Sequence, residues 1–152
     1  MRFLSRLVLG LFSSLLAISC LEEPECVRIN NNVAGITFRN LIDGSNQAVL
    51  WDEISMVGTD SIVSGRASVT SFVLSLDYFN NQTTVKFRNQ ELIDSLVLAY
   101  RVQAQFISEE CGERYFLSDL KLITHTFDSV RIVSAVPGKD TKAKNIEIYV
   151  NE

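Results

Sequence analysis

Residues 95–106 read SLVLAYRVQAQF, and their side chains alternate without a break. Leu96, Leu98, Tyr100, Val102, Ala104 and Phe106 fall on one face; Ser95, Val97, Ala99, Arg101, Gln103 and Gln105 fall on the other. A period of two sustained that long marks a long strand with one buried face. Outward from it, Phe72, Leu74, Leu76 and Tyr78 alternate in the same way. Asn80-Asn81-Gln82 then precedes Val85 and Phe87, which predicts a hairpin turning on the asparagines. Tyr115 to Thr126, Val130 to Val136 and Ile146 to Val150 predict further strands, and Ala34, Ile36 and Phe38 alternate with Thr37 and Arg39 upstream. Ala48 to Met56 fits a strand or a short helix. Turn signals stand at Asp43-Gly44, Gly58, Ser64-Gly65, Cys111-Gly112 and Pro137-Gly138. With only two prolines and no long amphipathic helix, the chain is expected to be all-β: an antiparallel β-sandwich of seven to nine strands, with a β-barrel-like closure as the alternative.

The first 26 residues have a different character. Arg2 and Arg6 form a cationic start, followed by a mostly apolar run from Leu7 to Ile18. As a helix that run would span roughly 18 Å, short of the ~30 Å hydrocarbon core, so it reads as an export signal and not a lasting span. Small residues then precede Cys20, with Ser19 beside it and Ala17 three before it. The reading is a lipoprotein signal, residues 1–19, with Cys20 as the lipid-bearing residue. Ala17 and Ile18 replace the Leu and small residue of the usual lipoprotein box, and Ala17-Ile18-Ser19 also satisfies ordinary secretory cleavage. A secreted, non-lipidated β-domain is therefore the competing expectation. Cysteine arithmetic favours the lipid: removing Cys20 from three cysteines leaves Cys26 and Cys111 as an even pair in an oxidising compartment. Bridged, they would close a loop of about 85 residues, with a chain-entropy contribution of roughly 4.6 kcal/mol before native strain is subtracted.

A lipid on Cys20 fixes the rest of the organisation. One acyl chain binds a bilayer marginally, whereas a diacylglycerol thioether holds it stably. Residues 20–26 become an acidic tether and 27–152 the β-sandwich domain. Loss of the signal removes two arginines and no acids, moving the formal charge from -4 to -6. No basic patch and no aromatic residues set among lysines are present, so nucleic acid is not an expected partner. No further apolar run approaches 18 residues.

Catalytic signals are absent from the sequence. His125 is the single histidine, and neither a nucleophile elbow nor a Cys–His arrangement accompanies it; a surface or edge position in a strand is expected. One histidine and two paired cysteines do not make a zinc site, and no EF-hand spacing occurs, so neither metal nor cofactor is expected. Glu109, Glu110 and Glu113 read as a solvated charged turn. Asp60-Ser61-Ile62, Asp94-Ser95-Leu96 and Asp128-Ser129-Val130 repeat Asp-Ser-aliphatic at intervals of 34 residues. Asp and Ser make such turns at strand starts. Asn81-Gln82-Thr83 also fits the N-glycosylation pattern.

Cys20 with Cys26 six residues on, the strand-rich body, and Glu110-Cys111-Gly112 before another strand together resemble an uncharacterised family of small Bacteroidetes-type outer-membrane lipoproteins. That resemblance implies an outer-membrane, lipid-anchored protein on the periplasmic face or the cell surface, and brings no activity with it. In such lineages, acidic residues after the lipidated cysteine resemble a surface-export signal, here Glu22, Glu23 and Glu25. Asp-Ser-apolar is similar to an O-glycosylation motif of exported proteins, which makes Ser61, Ser95 and Ser129 candidate acceptors. The expectation is a non-enzymatic binding or structural accessory of the envelope, contacting other envelope proteins or glycans. An envelope hydrolase with an unrecognised carboxylate site is the alternative. A binding face would draw on Trp51, Tyr78, Tyr100 or Tyr115, each of which also suits a core.

Overall fold

The computed structural model describes residues 32–58, 62–90, 92–138 and 142–151. Among them are eleven strands and no helix: β1 (Val33–Asn40), β2 (Val49–Trp51), β3 (Glu53–Met56), β4 (Ile62–Ser64), β5 (Ala67–Val69), β6 (Ser71–Ser75), β7 (Gln82–Asn89), β8 (Leu92–Ser108), β9 (Gly112–His125), β10 (Ser129–Ile132) and β11 (Ile146–Val150). They form a four-stranded sheet in the order β10-β11-β1-β6, a five-stranded sheet in the order β4-β3-β7-β8-β9, and a β2-β5 pair. None of the three closes into a barrel. The count exceeds seven to nine because β2, β4 and β5 have three residues each, too few to leave a periodic signature.

The inward faces follow from the alternation. Ala34, Ile36 and Phe38 on β1, Val85 and Phe87 on β7, Leu96, Leu98 and Tyr100 on β8, and Ile146 and Ile148 on β11 are buried in one continuous cluster. Residues of both large sheets share that cluster, which makes the arrangement a β-sandwich. Its centre is aromatic: Phe38 lies 5.8 Å from Trp51, 6.2 Å from Phe72 and 6.0 Å from Phe87, and Phe127 lies 5.0 Å from Phe87. Such pairs add roughly 0.5–1.5 kcal/mol each beyond the area they bury.

The pairing of β1 with β11 is parallel, Ile36 opposite Ile146 and Asn40 opposite Val150. Gly35 permits the approach to this pair. A Cβ there would stand 1.6 Å from the Ala143 carbonyl oxygen, so no side chain fits. Asn145 closes the contact: Gly35 N donates to its Oδ1 (3.1 Å), and its Nδ2 donates to the carbonyls of Ser134 (3.1 Å) and Val136 (2.7 Å). One buried amide thus satisfies three backbone groups, one on β1 and two in the segment after β10.

Three expectations need correction. The stretch across Asn80-Asn81 is not a hairpin: β6 pairs with β1, whereas β7 pairs with β3 and β8, so the chain arches from one sheet to the other. Tyr78 lies in that arch and not on a strand. The strand expected over Val130 to Val136 stops at Ile132, because Val133 N and Ser134 N turn to the Asn145 carbonyl. The inward face of β8 also outruns the core. β7 pairs with β8 only as far as Ala99, and beyond it Ala104 and Phe106 are exposed. Among the described residues, β8 from Arg101 to Ser108 pairs with β9 alone, as an arm extending past the sheet.

Candidate binding site

The site is built where the arch meets that arm. Asp77 opens the arch, and its carboxylate accepts hydrogen bonds from Phe79 N (2.8 Å) and Asn80 Nδ2 (2.6 Å), an Asx-type turn. The Asn80 amide, with the Phe79 backbone N–H next, holds the Asp77 carboxyl below the usual carboxylate range. Behind the turn, the Tyr100 hydroxyl donates to the Asp77 carbonyl (2.8 Å) and shares a 2.6 Å hydrogen bond with Thr83 Oγ1. Tyr100 N also donates to the Asn81 carbonyl (3.0 Å). Tyr100 and Thr83 are both buried, and burial raises the Tyr100 phenol above its ordinary value. The arch is therefore fixed to β8 from beneath by both backbone and side chain.

On this support three rings project outward. Tyr78 stacks on Tyr115 with centroids 5.0 Å apart and planes inclined by 20°. Phe79 packs 4.4 Å from Tyr78 and remains 78% exposed. Tyr115 comes from β9, and its hydroxyl leans toward Glu113 Oε2 (3.4 Å); the Glu113 charge raises the Tyr115 pKa. The rings form a ridge with a cleft on each side. The larger, about 700 Å3, has Tyr78, Phe79, Asn80 and Asn81 as one wall and Arg101, Asp119 and Lys121 as the other. The smaller, about 120 Å3, lies among Asn32, Tyr78, Glu113, Arg114 and Tyr115.

The far wall depends on a bulge. Between the pairs Ala99–Lys121 and Arg101–Ser118, β9 uses one residue more than β8, and Asp119 takes a positive φ of 55° to accommodate it. That turns Asp119 Oδ2 to Arg101 Nη2 at 3.3 Å. It also frees Leu120 N to bond the Ala135 carbonyl at 2.8 Å. In the smaller cleft, Arg114 Nε is buried and finds no hydrogen-bond partner among the described residues.

Of the four aromatics named from the sequence, Trp51 and Tyr100 belong to the core and Tyr78 and Tyr115 to the ridge. Phe79 was not foreseen; its only signal is its place between two apolar runs, next to Tyr78. Cys111 lies in the β8–β9 turn, where its N–H donates to Ser108 Oγ (3.1 Å). Cys20, Cys26 and Ser61 lie outside the described residues, as do residues 1–19 and the acidic tether. Ser95 and Ser129 are half-buried on β8 and β10. Ser95 N donates to Thr126 Oγ1, whose hydroxyl donates to Asp94, and Asp128 receives the Asn151 backbone and side-chain N–H groups. His125 ends β9, half-buried, with Nδ1 3.0 Å from the Phe127 carbonyl. Among the described residues no group of three or more His, Cys, Asp or Glu side chains is placed to hold a metal.

Fold and site together define a small β-sandwich domain that displays an aromatic ridge between two clefts. The chain belongs to a family of unknown function, DUF6452, whose model matches residues 52–150. The match begins just after β2 and ends with β11, so it contains the arch, the arm and all three ridge aromatics. No curated protein and no solved structure matches the chain.

Proposed function

We propose that this protein is a lipid-anchored accessory of the cell envelope that binds and does not catalyse, and that the ridge of Tyr78, Phe79 and Tyr115 is its binding face. The observation that supports this is the exposure of Phe79 on a turn that four hydrogen bonds immobilise. Large rings exposed on a preorganised support lose little entropy on contact, which is how binding surfaces spend aromatic residues. The anchor is Cys20, and Cys26 with Cys111 forms a disulfide that ties the tether to the arm. Twelve peptide steps separate Cys20 from Asn32, a reach of at most about 43 Å. Asn32 itself borders the smaller cleft, so the binding face works close to the membrane surface, against components of the envelope.

Two measurements in cells test this reading. Cys20→Ser is expected to move the protein from the membrane fraction to the soluble fraction. A photoreactive side chain at position 79 is expected to give discrete adducts that the same group at Ile42, an exposed loop position, does not give. Membrane retention of the serine variant would remove the anchor from the proposal. Identical adducts from both positions would remove the binding face.

A further inference from the structure

We infer that the ligand of this face is a linear, uncharged glycan lying across the ridge; the inference rests on the binding reading above and names its substrate class. Sugar rings combine an apolar face of axial C–H bonds with a rim of hydroxyls. The C–H face is weakly positive and suits the negative face of an aromatic ring. The hydroxyl rim needs planar groups that donate and accept: amides do both, carboxylates accept and guanidinium groups donate.

The cleft carries both halves of that requirement. Phe79 offers an open ring, and Asn80, Asn81, Arg101 and Asp119 stand around the larger cleft it overlooks. Arg101 and Asp119 face one another at 3.3 Å with their side chains 65% and 48% exposed, so both retain polar atoms for a ligand. Across the ridge, Asn32, Glu113 and Arg114 line the smaller cleft with Tyr78 and Tyr115. Polar groups on both sides of one aromatic crest suit a chain of several sugar units better than a single sugar. Both signs of charge share each cleft, Arg101 and Lys121 with Asp119 on the larger and Arg114 with Glu113 on the smaller. Neither cleft offers a run of one sign to a densely charged chain, which favours a neutral one.

A proline-rich peptide is another ligand that aromatic surfaces take. It needs slots between rings into which pyrrolidines insert. Here Tyr78 and Tyr115 stack face to face at 5.0 Å and leave no slot between them.

The test is native affinity electrophoresis of the full chain extracted in detergent. The gels contain a soluble neutral polysaccharide (hydroxyethyl cellulose, xyloglucan, mannan or amylose), or heparin as the charged control; a proline-rich peptide is titrated separately. Retardation by at least one neutral polysaccharide is expected, weakened about tenfold or more by Phe79→Ala and by Tyr115→Ala. Both positions lie outside the core, and unchanged melting of the variants separates lost binding from lost folding. Retardation unaffected by Phe79→Ala, or binding confined to heparin or to the peptide, would overturn the inference. Failure with every polysaccharide while the position-79 adducts persist would overturn the glycan and leave the binding face standing. Loss of those adducts as well would take the binding face with it.

Discussion

Replacing Tyr100 with Phe isolates the support beneath the ridge. The ring is 4% exposed, and Tyr100→Phe keeps its apolar burial while deleting the hydroxyl that bridges Asp77 O (2.8 Å) and Thr83 Oγ1 (2.6 Å). Two hydrogen bonds at about 0.5–1.5 kcal/mol each give a loss of about 1–3 kcal/mol. The upper half of that range applies if the buried Thr83 hydroxyl finds no replacement. With an unfolding entropy of about 2.1 cal/mol/K per residue over roughly 120 residues, each kcal/mol lowers Tm by about 4 °C, so a drop of about 4–12 °C is expected. Thr83→Val removes one of the same bonds from the other side. The double variant should therefore cost less than the sum of the singles, by about 1 kcal/mol in a urea-unfolding cycle. The pH dependence carries a second signature. Burial raises the Tyr100 pKa in the folded state, so its contribution is complete below the unfolded value of about 10 and is lost as pH rises through the folded value. Tyr100→Phe should lack that alkaline loss, and the gap to wild type should narrow above pH ~10. A variant within about 0.3 kcal/mol of wild type, or singles that add fully, would refute the claim that this hydroxyl holds the arch.

Asn145 is expected to tolerate neither truncation nor charge. Asn145→Ala leaves Gly35 N and two carbonyls without their partner, a loss of about 2–4 kcal/mol by urea unfolding. Asn145→Asp should be worse at neutral pH, since a carboxylate would face the Ser134 and Val136 carbonyls; a milder aspartate variant would contradict this. On the outer face of β11, Arg131 first, then Arg39 and Tyr149, hold the Glu147 carboxyl below its ordinary value. Its stabilisation is therefore present above the unfolded value of about 4.3 and lost as pH falls through the lowered folded value. Arg131→Gln should move the acid limb of the stability profile to higher pH, read by thermal melts between pH 2 and 6, and an unmoved limb would dismiss the pair.

Alternation located the strands but not always their ends: β6 stops at Ser75, although its pattern runs on to Tyr78. β11 lies where its pattern places it, and β8 covers the whole of residues 95–106. Pairing was not legible, for a physical reason. Asn80-Asn81-Gln82 favours a reversal of the chain, and a reversal within one sheet uses the same residues as an arch between two. What decides is whether the flanking strands meet partners elsewhere, and β1, far away in sequence, claims β6. The extent of burial along β8 was illegible for a similar reason. Alternation reports which residues share a face, but not where the opposing sheet ends, and Phe106 keeps the period while lying 66% exposed. The bulge at Asp119 left no glycine or asparagine to announce it.

The same limits explain the candidate site. Tyr100 and Tyr78 lie on one alternating or near-alternating stretch each, and nothing in the pattern separates a core phenol from a displayed one. The separation comes from the arch: Tyr100 turns inward and spends its hydroxyl on the Asp77 carbonyl, and this fixes the turn on which Tyr78 and Phe79 stand. A connection that only joined two sheets would gain nothing from an exposed phenylalanine, and a polar residue at 79 would satisfy the same Asx turn, because that turn uses only the backbone N–H of Phe79. The ring is thus surplus to the fold while the scaffold beneath it is not. Substitution of Phe79 and of Tyr100 should accordingly act on different quantities, the first on binding at unchanged stability and the second on both.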